Sequence, residues 1–412
     1  KALLKNAHLF HTLKHQAKEF GITFDNLSYD WEAVIGRSRN VSDRLAGGVE
    51  FLFKKNKVDY VKGYGSVVDS THVEVKASDG SVQVLETSNI IIATGGKARE
   101  FPGLPFNGSN VIGSREAMTL PSQPSRMVII GAGAIGVEFA YIYNAFGTEV
   151  TLVEMMPRLV PVEDDDIGDA LKKSYSRQGI KCLTDTKVIA TENAGDSVRV
   201  TVENAKGSQV IEADICLVAI GVVPVLPGGQ LPEFTDRGWI QIGDRYETSM
   251  RGVYAIGDIA GPPWLAHTAM YEATQCVDGI FLPEATPSRV GTFPGCTYCY
   301  PEIASVGKTE RELQEEGVAY KAGKFPYQAL GKAQAAAETE GFIKLLFGEE
   351  HGELLGAHII GANATDIIAE MGLGLTLEAT IEDFHATIHA HPTLTEGVHE
   401  ASLDAEGHAI HF

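Results

Sequence analysis

Three clusters in the 412-residue chain combine residue types and spacings that could carry chemistry. The first is Gly131-Ala132-Gly133-Ala134-Ile135-Gly136, which follows the apolar run Met127-Val-Ile-Ile and opens a helical stretch. There Gly131 permits a tight turn and Gly133 lets a pyrophosphate approach the backbone. Gly136 lets helix and strand pack closely, and the helix N-terminus offers N–H groups and positive potential. The next apolar run ends in Glu154, 18 residues after Gly136. A carboxylate there can accept from both ribose hydroxyls of NAD and would repel the extra phosphate of NADP. No Arg stands in the three positions that follow. The plain alternative is a glycine turn in an α/β domain with no ligand.

The second cluster is Tyr254-Ala-Ile-Gly257-Asp258, an apolar strand that delivers a carboxylate to the carboxyl edge of a sheet, where ligands of doubly wound folds bind. Trp264-Leu265-Ala266-His267 then begins a helix and aims N–H groups at an anion or carbonyl. Taken alone, Gly-Asp at a strand end is a turn; paired with Ala93-Thr94-Gly95-Gly96 it suggests a second nucleotide site. The third cluster is His389-Ala-His391-Pro-Thr-Leu-Thr-Glu396. A carboxylate five residues after a histidine can orient the ring, fix its tautomer and raise its basicity, as a general base requires. His385, His389 and His391 also have ligand-like spacing. No Asp, Glu or Cys at matching spacing completes a metal site, and Pro392 interrupts helical presentation, so no metal is expected.

The five cysteines are Cys182, Cys216, Cys276, Cys296 and Cys299, too few for a disulfide scaffold. Cys296-Thr-Tyr-Cys299 imitates a redox motif but lies in a Gly/Pro-rich loop without βαβ context, and reads as two ordinary thiols. The other three sit in apolar runs and read as core.

These clusters need elements to hold them. Residues 1–20 and 31–56 read as amphipathic helices. From Val58 to Ile92 short alternating runs with Asp79-Gly80 between them read as a β-meander. A βαβ texture begins at Arg126, with a strand at Met127–Ile130, a helix at Ile135–Phe146, a strand at Glu149–Glu154 and a helix at Asp165–Gln178. Residues 291–412 mix strands and helices in an α+β pattern. Acidic residues number 54 against 34 basic, a net charge of −20, which argues against nucleic-acid and anionic-membrane partners. The longest apolar stretch, Ile215 to Leu226, contains Gly221 and Pro224 and is too short to span a bilayer. The expected setting is a reducing, cytoplasmic one.

The order of meander, Ala-Thr-Gly-Gly, Gly-x-Gly-x-x-Gly with distal Glu, Ala-Ile-Gly-Asp and His-Pro-Thr-Leu-Thr-Glu resembles that of the flavin-dependent pyridine nucleotide–disulfide oxidoreductases. The resemblance covers essentially the whole chain. It implies an α/β fold: two doubly wound, Rossmann-like nucleotide-binding domains plus a C-terminal α+β dimerisation domain. The corresponding divisions are FAD binding at 1–115, NAD binding at 116–232, a central FAD-closing segment at 233–290 and an interface domain at 291–412. It implies FAD contacts from Lys1, Gly65, Thr94, Gly95, Gly96, Asp258, Trp264, Leu265, Ala266 and His267. It implies NAD contacts from Gly131, Ala132, Gly133, Ala134, Ile135, Gly136, Val137, Glu138, Glu154, Val188 and Gly221, with Glu138 paired to a lysine beside the flavin.

In the branch resembled most, His391 deprotonates a dihydrolipoyl thiol, Glu396 orients it, and the histidine serves the partner subunit of a homodimer. That branch oxidises protein-bound dihydrolipoamide with NAD, for 2-oxoacid dehydrogenase complexes or glycine cleavage. Its partners are a lipoyl domain and an acyltransferase core. The sequence opens at Lys1-Ala-Leu-Leu, which the resemblance places just past the second cysteine of the redox pair. The pair and the first FAD fingerprint are therefore expected to be absent from this chain, and with them the dithiol relay. Two readings stay beside this one: a soluble pyridine nucleotide transhydrogenase, and a non-catalytic NAD-binding dimeric scaffold.

Overall fold

A computed structural model describes residues 1–411. The apolar run at Met127 becomes the strand Arg126–Ile130, at the centre of a five-stranded parallel sheet. Its neighbours in spatial order are Val111–Ile112, Ile215–Val218, then Arg126–Ile130, Glu149–Val153 and Lys181–Leu183. The three longest strands are buried along nearly their whole length, as expected where helices cover both faces of a parallel sheet. The helix Ala134–Ala145 leaves the first of these strands through the glycine turn. Gly131 has φ +99, and a Cβ on it would stand 2.5 Å from the Ala219 carbonyl oxygen. A Cβ on Gly136 would stand 1.9 Å from the Gly131 carbonyl oxygen, so no larger residue fits where helix and turn meet.

Alternation of period two shows in the strand Val198–Asn204, where Val198, Val200 and Val202 are buried within a three-stranded antiparallel sheet. The C-terminal region forms a five-stranded antiparallel sheet in the order Gly295–Thr297, Ile303–Gly307, Leu354–Ile360, Phe342–Gly348, Tyr320–Pro326. The helices Ala364–Thr376 and Glu396–Asp404 bury residues in the same core cluster as this sheet.

The expected meander is present as the strands Tyr64–Asp69, His72–Lys76 and Val82–Glu86, with Gly80 at φ +85 in the second turn. The strands Ile90–Ile92 and Val253–Ala255 pair in parallel. That pairing joins stretches far apart in sequence, so the compact units interleave instead of following one another. One comprises residues 1–41, 99–221 and the chain from Thr292; the other comprises residues 42–98 and 222–291. The first helix is shorter than its periodicity suggests, Ala2–Gln16. The Val253 strand also stops early, at Ala255, where Gly257–Ala260 turns into a short 3-10 helix. No helix among the described residues is long and apolar enough to cross a membrane.

A buried charge network ties the helix Asp165–Arg177 to the antiparallel sheet. Lys344 lies in a strand buried throughout, its side chain 3% exposed, and its ammonium donates to Asp164 at 2.7 Å, to Asp166 at 3.1 Å and to Glu310. Asp164 also caps the helix by accepting from the Asp166 amide. Burial works to raise the Asp164 carboxyl, but the Lys344 ammonium and the Glu310 amide outweigh it and hold the group below the ordinary carboxylate range. A group depressed in this way contributes stability above its unfolded value and loses it as pH falls through the folded one. Lys344→Met should leave the Asp164 carboxylate buried without its partner and cost ~3–5 kcal/mol at neutral pH, measured by chemical denaturation. A loss below ~1 kcal/mol would mean that water replaces the ammonium.

Candidate active site

The sheet gathers the expected NAD residues. Gly131, Gly133, Glu154, Val188 and Gly221 line one cavity of about 480 Å³, together with Met155, Met156 and Lys187. Gly133 lines it in extended backbone, and a Cβ built on it meets no atom within 4 Å. The turn thus leaves open space where a pyrophosphate would approach, and Gly133 precedes a helix with no side-chain cap on its amides. Glu154 is buried; its two carboxylate oxygens accept from the amides of Ala132 at 2.7 Å and Met156 at 2.9 Å. A carboxylate offers about four acceptor sites, so these two bonds aim it and leave capacity for ribose hydroxyls. These residues fit a dinucleotide.

Ala134, Ile135 and Val137 occupy the first turn of the helix, Ala132 is buried in the loop before it, and Glu138 follows one position on. The Glu138 carboxylate accepts from the Lys1 ammonium at 2.6 Å and from the Tyr298 amide at 2.9 Å. The Lys1 ammonium lies 3.8 Å from the centre of the Tyr298 ring, within cation–π range. Tyr298 escaped the sequence reading because it stands inside the set-aside Cys-Thr-Tyr-Cys motif. The two cysteines of that motif face different surroundings: Cys296 packs against the antiparallel-sheet core and Cys299 lies in the core of the parallel sheet. All five thiols are free. Burial pushes Cys182 and Cys216 up to about 12 and Cys276 and Cys296 up to about 11, so thiolate is scarce at neutral pH.

The residues expected at FAD, apart from Lys1, lie in the other compact unit. The parallel pairing of Ile90–Ile92 with Val253–Ala255 sets Thr94-Gly95-Gly96 beside Gly257-Asp258 at adjacent strand ends. A Cβ on Gly96 would come within 3.5 Å of Asp258 Oδ2, and Gly95 has φ +73. Burial raises the Asp258 carboxyl above its ordinary value. The helix Ala266–Phe281 begins after Leu265 with no side-chain cap, and the Trp264 ring lies 5.4 Å from that of Trp239. His267 is in the first turn of that helix, and Gly65 lies in the meander strand Tyr64–Asp69. Glu272, which the motif reading missed, is buried and accepts from the Gly257 amide at 2.6 Å, fixing the Gly-Asp turn. These residues suit the flavin's polar chain.

His391 is 78% exposed, and its Nδ1 lies 2.8 Å from a Glu396 oxygen. A carboxylate there can only accept, so Nδ1 carries the proton and Nε2 keeps its lone pair. The other Glu396 oxygen accepts from the Thr393 amide at 2.8 Å. Burial works to raise Glu396, yet the Thr393 amide and the His391 ring hold it below its ordinary value, so it stays ionised. His389 pairs instead with Glu370 at 2.8 Å, a bond that raises its pKa despite burial. His389 and His391 thus serve different partners, His385 Nε2 is buried without one, and the three are not among the close ligand groups of the described residues. The one trio of ligand groups close enough for an ion among the described residues is Asp164, Asp166 and Glu310, which already holds the Lys344 ammonium. His391 and Glu396 border a cavity of about 470 Å³ that shares no residue with the cavity of about 310 Å³ bordered by Lys1 and Tyr298.

Comparison with known proteins gives these sites a context. The profile described as pyridine nucleotide-disulphide oxidoreductase matches residues 1–273, and the profile of that family's dimerisation domain matches residues 293–402. The chain is 38% identical over 423 residues to a mitochondrial dihydrolipoyl dehydrogenase of Pisum sativum, covering 100% of this chain and 83% of the relative. It is 41% identical to the dihydrolipoyl dehydrogenase of Chlorobaculum parvum, covering 98% and 87%, and 38% identical to a leghemoglobin reductase of Glycine max, covering 98% and 78%. Among solved structures, LpdA from Mycobacterium tuberculosis shares the fold with a TM-score of 0.89 at 23% identity, over 98% of this chain and 88% of that one. With profile matches along nearly its whole length, the chain belongs to the pyridine nucleotide-disulphide oxidoreductase family.

Proposed function

We propose that this chain carries the NAD-binding and thiol-base parts of a flavoprotein dihydrolipoyl dehydrogenase, which oxidises protein-bound dihydrolipoamide to lipoamide and reduces NAD to NADH with release of one proton. The observation that carries the reading is the His391–Glu396 pair, a histidine held by an ionised carboxylate with Nε2 bare. A scaffold has no use for a base oriented in this way, and a transhydrogenase moves hydride without deprotonating a thiol. Curated relatives named for the same activity, at 37–41% identity across the chain, support it.

FAD, when bound, supplies the two-electron carrier between thiol and nicotinamide. Gly95, Gly96 and Asp258 would hold its polar chain, with Thr94, Gly65 and the Trp264–His267 turn alongside. The glycine turn and Glu154 would hold NAD by pyrophosphate and ribose. Glu138 fixes the Lys1 ammonium near the start of the helix Ala134–Ala145. His391 Nε2 accepts the thiol proton and Glu396 stabilises the imidazolium that forms. The family's dimerisation domain at 293–402, and the separation of the His391 and Lys1 cavities within one chain, favour a homodimer in which His391 serves the other subunit. The partners proposed are a lipoyl domain and the acyltransferase core of a 2-oxoacid dehydrogenase complex, in the cytoplasm. The dithiol that exchanges with the substrate is none of the five cysteines here, and no step is assigned to them.

The test is made on the protein carrying its FAD. His391→Gln should reduce dihydrolipoamide oxidation by at least ~10²-fold, the usual scale of a lost general base, and leave NADH-to-dye transfer within a few-fold. Equal losses in both assays would remove His391 from the role, and no dye reduction by the unaltered protein would favour a scaffold. Glu154→Ala should weaken NAD and narrow its advantage over NADP; an unchanged preference would place ribose recognition elsewhere. Gly133→Ala and Gly136→Ala should separate two functions of the turn. The first should melt near the parent temperature but bind NADH at least ~10-fold more weakly, because its methyl enters the pyrophosphate space. The second should lower the melting temperature sharply, because its methyl meets backbone.

A further inference from the structure

The first helix, Ala2–Gln16, carries His11 and His15 four residues apart, with ring centres 4.6 Å apart and planes inclined by 43°. Two imidazoles on one tetrahedral zinc, each at about 2.0–2.1 Å through nitrogen, have ring centres roughly 5 Å apart, close to the separation of these two rings. Histidines at i and i+4 share a helix face and can grip one ion. Both rings border a cavity of about 510 Å³, distinct from the NAD cavity and from that of His391. Burial, followed by the charges of His15, His8 and Lys14, holds His11 down to about 4, and burial with Lys14 also lowers His15. At pH 7 both rings are neutral and their lone pairs are available.

The Glu149 carboxylate lines the same cavity and favours a cation, Arg177 and Glu340 there pair with each other, and Lys14 opposes a cation and limits affinity.

We propose that His11 and His15 form a two-histidine site for a late first-row divalent ion such as zinc, its shell completed by water. Such an ion would clamp the first helix to the end of the helix Ala134–Ala145, whose Asn144 and Ala145 share the cavity.

The tag-free protein with its cofactors is titrated with zinc chloride by calorimetry, and with copper(II) chloride by electron paramagnetic resonance. One equivalent should bind, and either His11→Ala or His15→Ala should weaken it at least about tenfold, the low end of what even an outer-shell loss costs. The copper spectrum should fall from two imidazole nitrogens to one. Zinc should raise the melting temperature of the parent and leave both variants unmoved. Alanine favours helix, so the variants should fold, and His351→Ala, at an exposed histidine, should bind as the parent does. Absence of the equivalent in the parent, full affinity in both variants, or loss of binding only after thiol alkylation would overturn the proposal.

Discussion

A single ammonium, that of Lys344, holds together the parts of this molecule that must act in concert. It sits in a strand with no exposed residue and satisfies carboxylates on the first turn of the helix Asp165–Arg177 and on the helix Glu310–Glu316. Three carboxylates this close would repel one another, and the trio has the spacing of a metal site. The lysine supplies the missing positive charge from within the chain. Desolvating so many charges gives little net stability, but removing one partner would be severe, so the network works as a registry device more than as glue. It ties the helix Asp165–Arg177 to the antiparallel sheet, against which the helix that begins at Glu396 packs.

The carboxylates of the candidate site are held in the same spirit, each aimed by a neighbouring donor. Glu154 is aimed by the amides of Ala132 and Met156, Glu396 by the amide of Thr393, and Glu138 by the amide of Tyr298. Each of these donors is a backbone N–H, which costs little extra side-chain entropy to order. The resulting carboxylates are directed before a ligand arrives, and such preorganisation is what makes fixed dipoles effective in a site. Two His–Glu pairs occur within three residues, yet they differ in kind. His389, 7% exposed, is locked against Glu370, whereas His391 stands in the open with Nε2 available.

Much of this was legible in the residues alone. Gly131, Gly133 and Gly136 carry their roles in their spacing, because the geometry that requires glycine is local to one turn. The pair His391 and Glu396 was legible for the same reason, being five residues apart on a stiff loop. Tyr298, Glu272 and Glu370 were not, since each meets its partner across 160, 15 and 19 residues of chain. Even the first helix was overestimated, because amphipathic periodicity continues past Gln16 where the backbone has already turned.

The sequence by itself determined the kinds of element, the glycine turn, the carboxylate at the end of the next strand and the His391–Glu396 pair. All of these depend on short-range sterics and hydrogen bonding between residues close in the chain. Only the tertiary structure decided that Cys296 and Cys299 enter different cores, that Lys344 occupies the acidic trio, and that strands 90–92 and 253–255, far apart in sequence, pair within one compact unit. Those outcomes depend on long-range packing and on desolvation of charge, which no local pattern encodes.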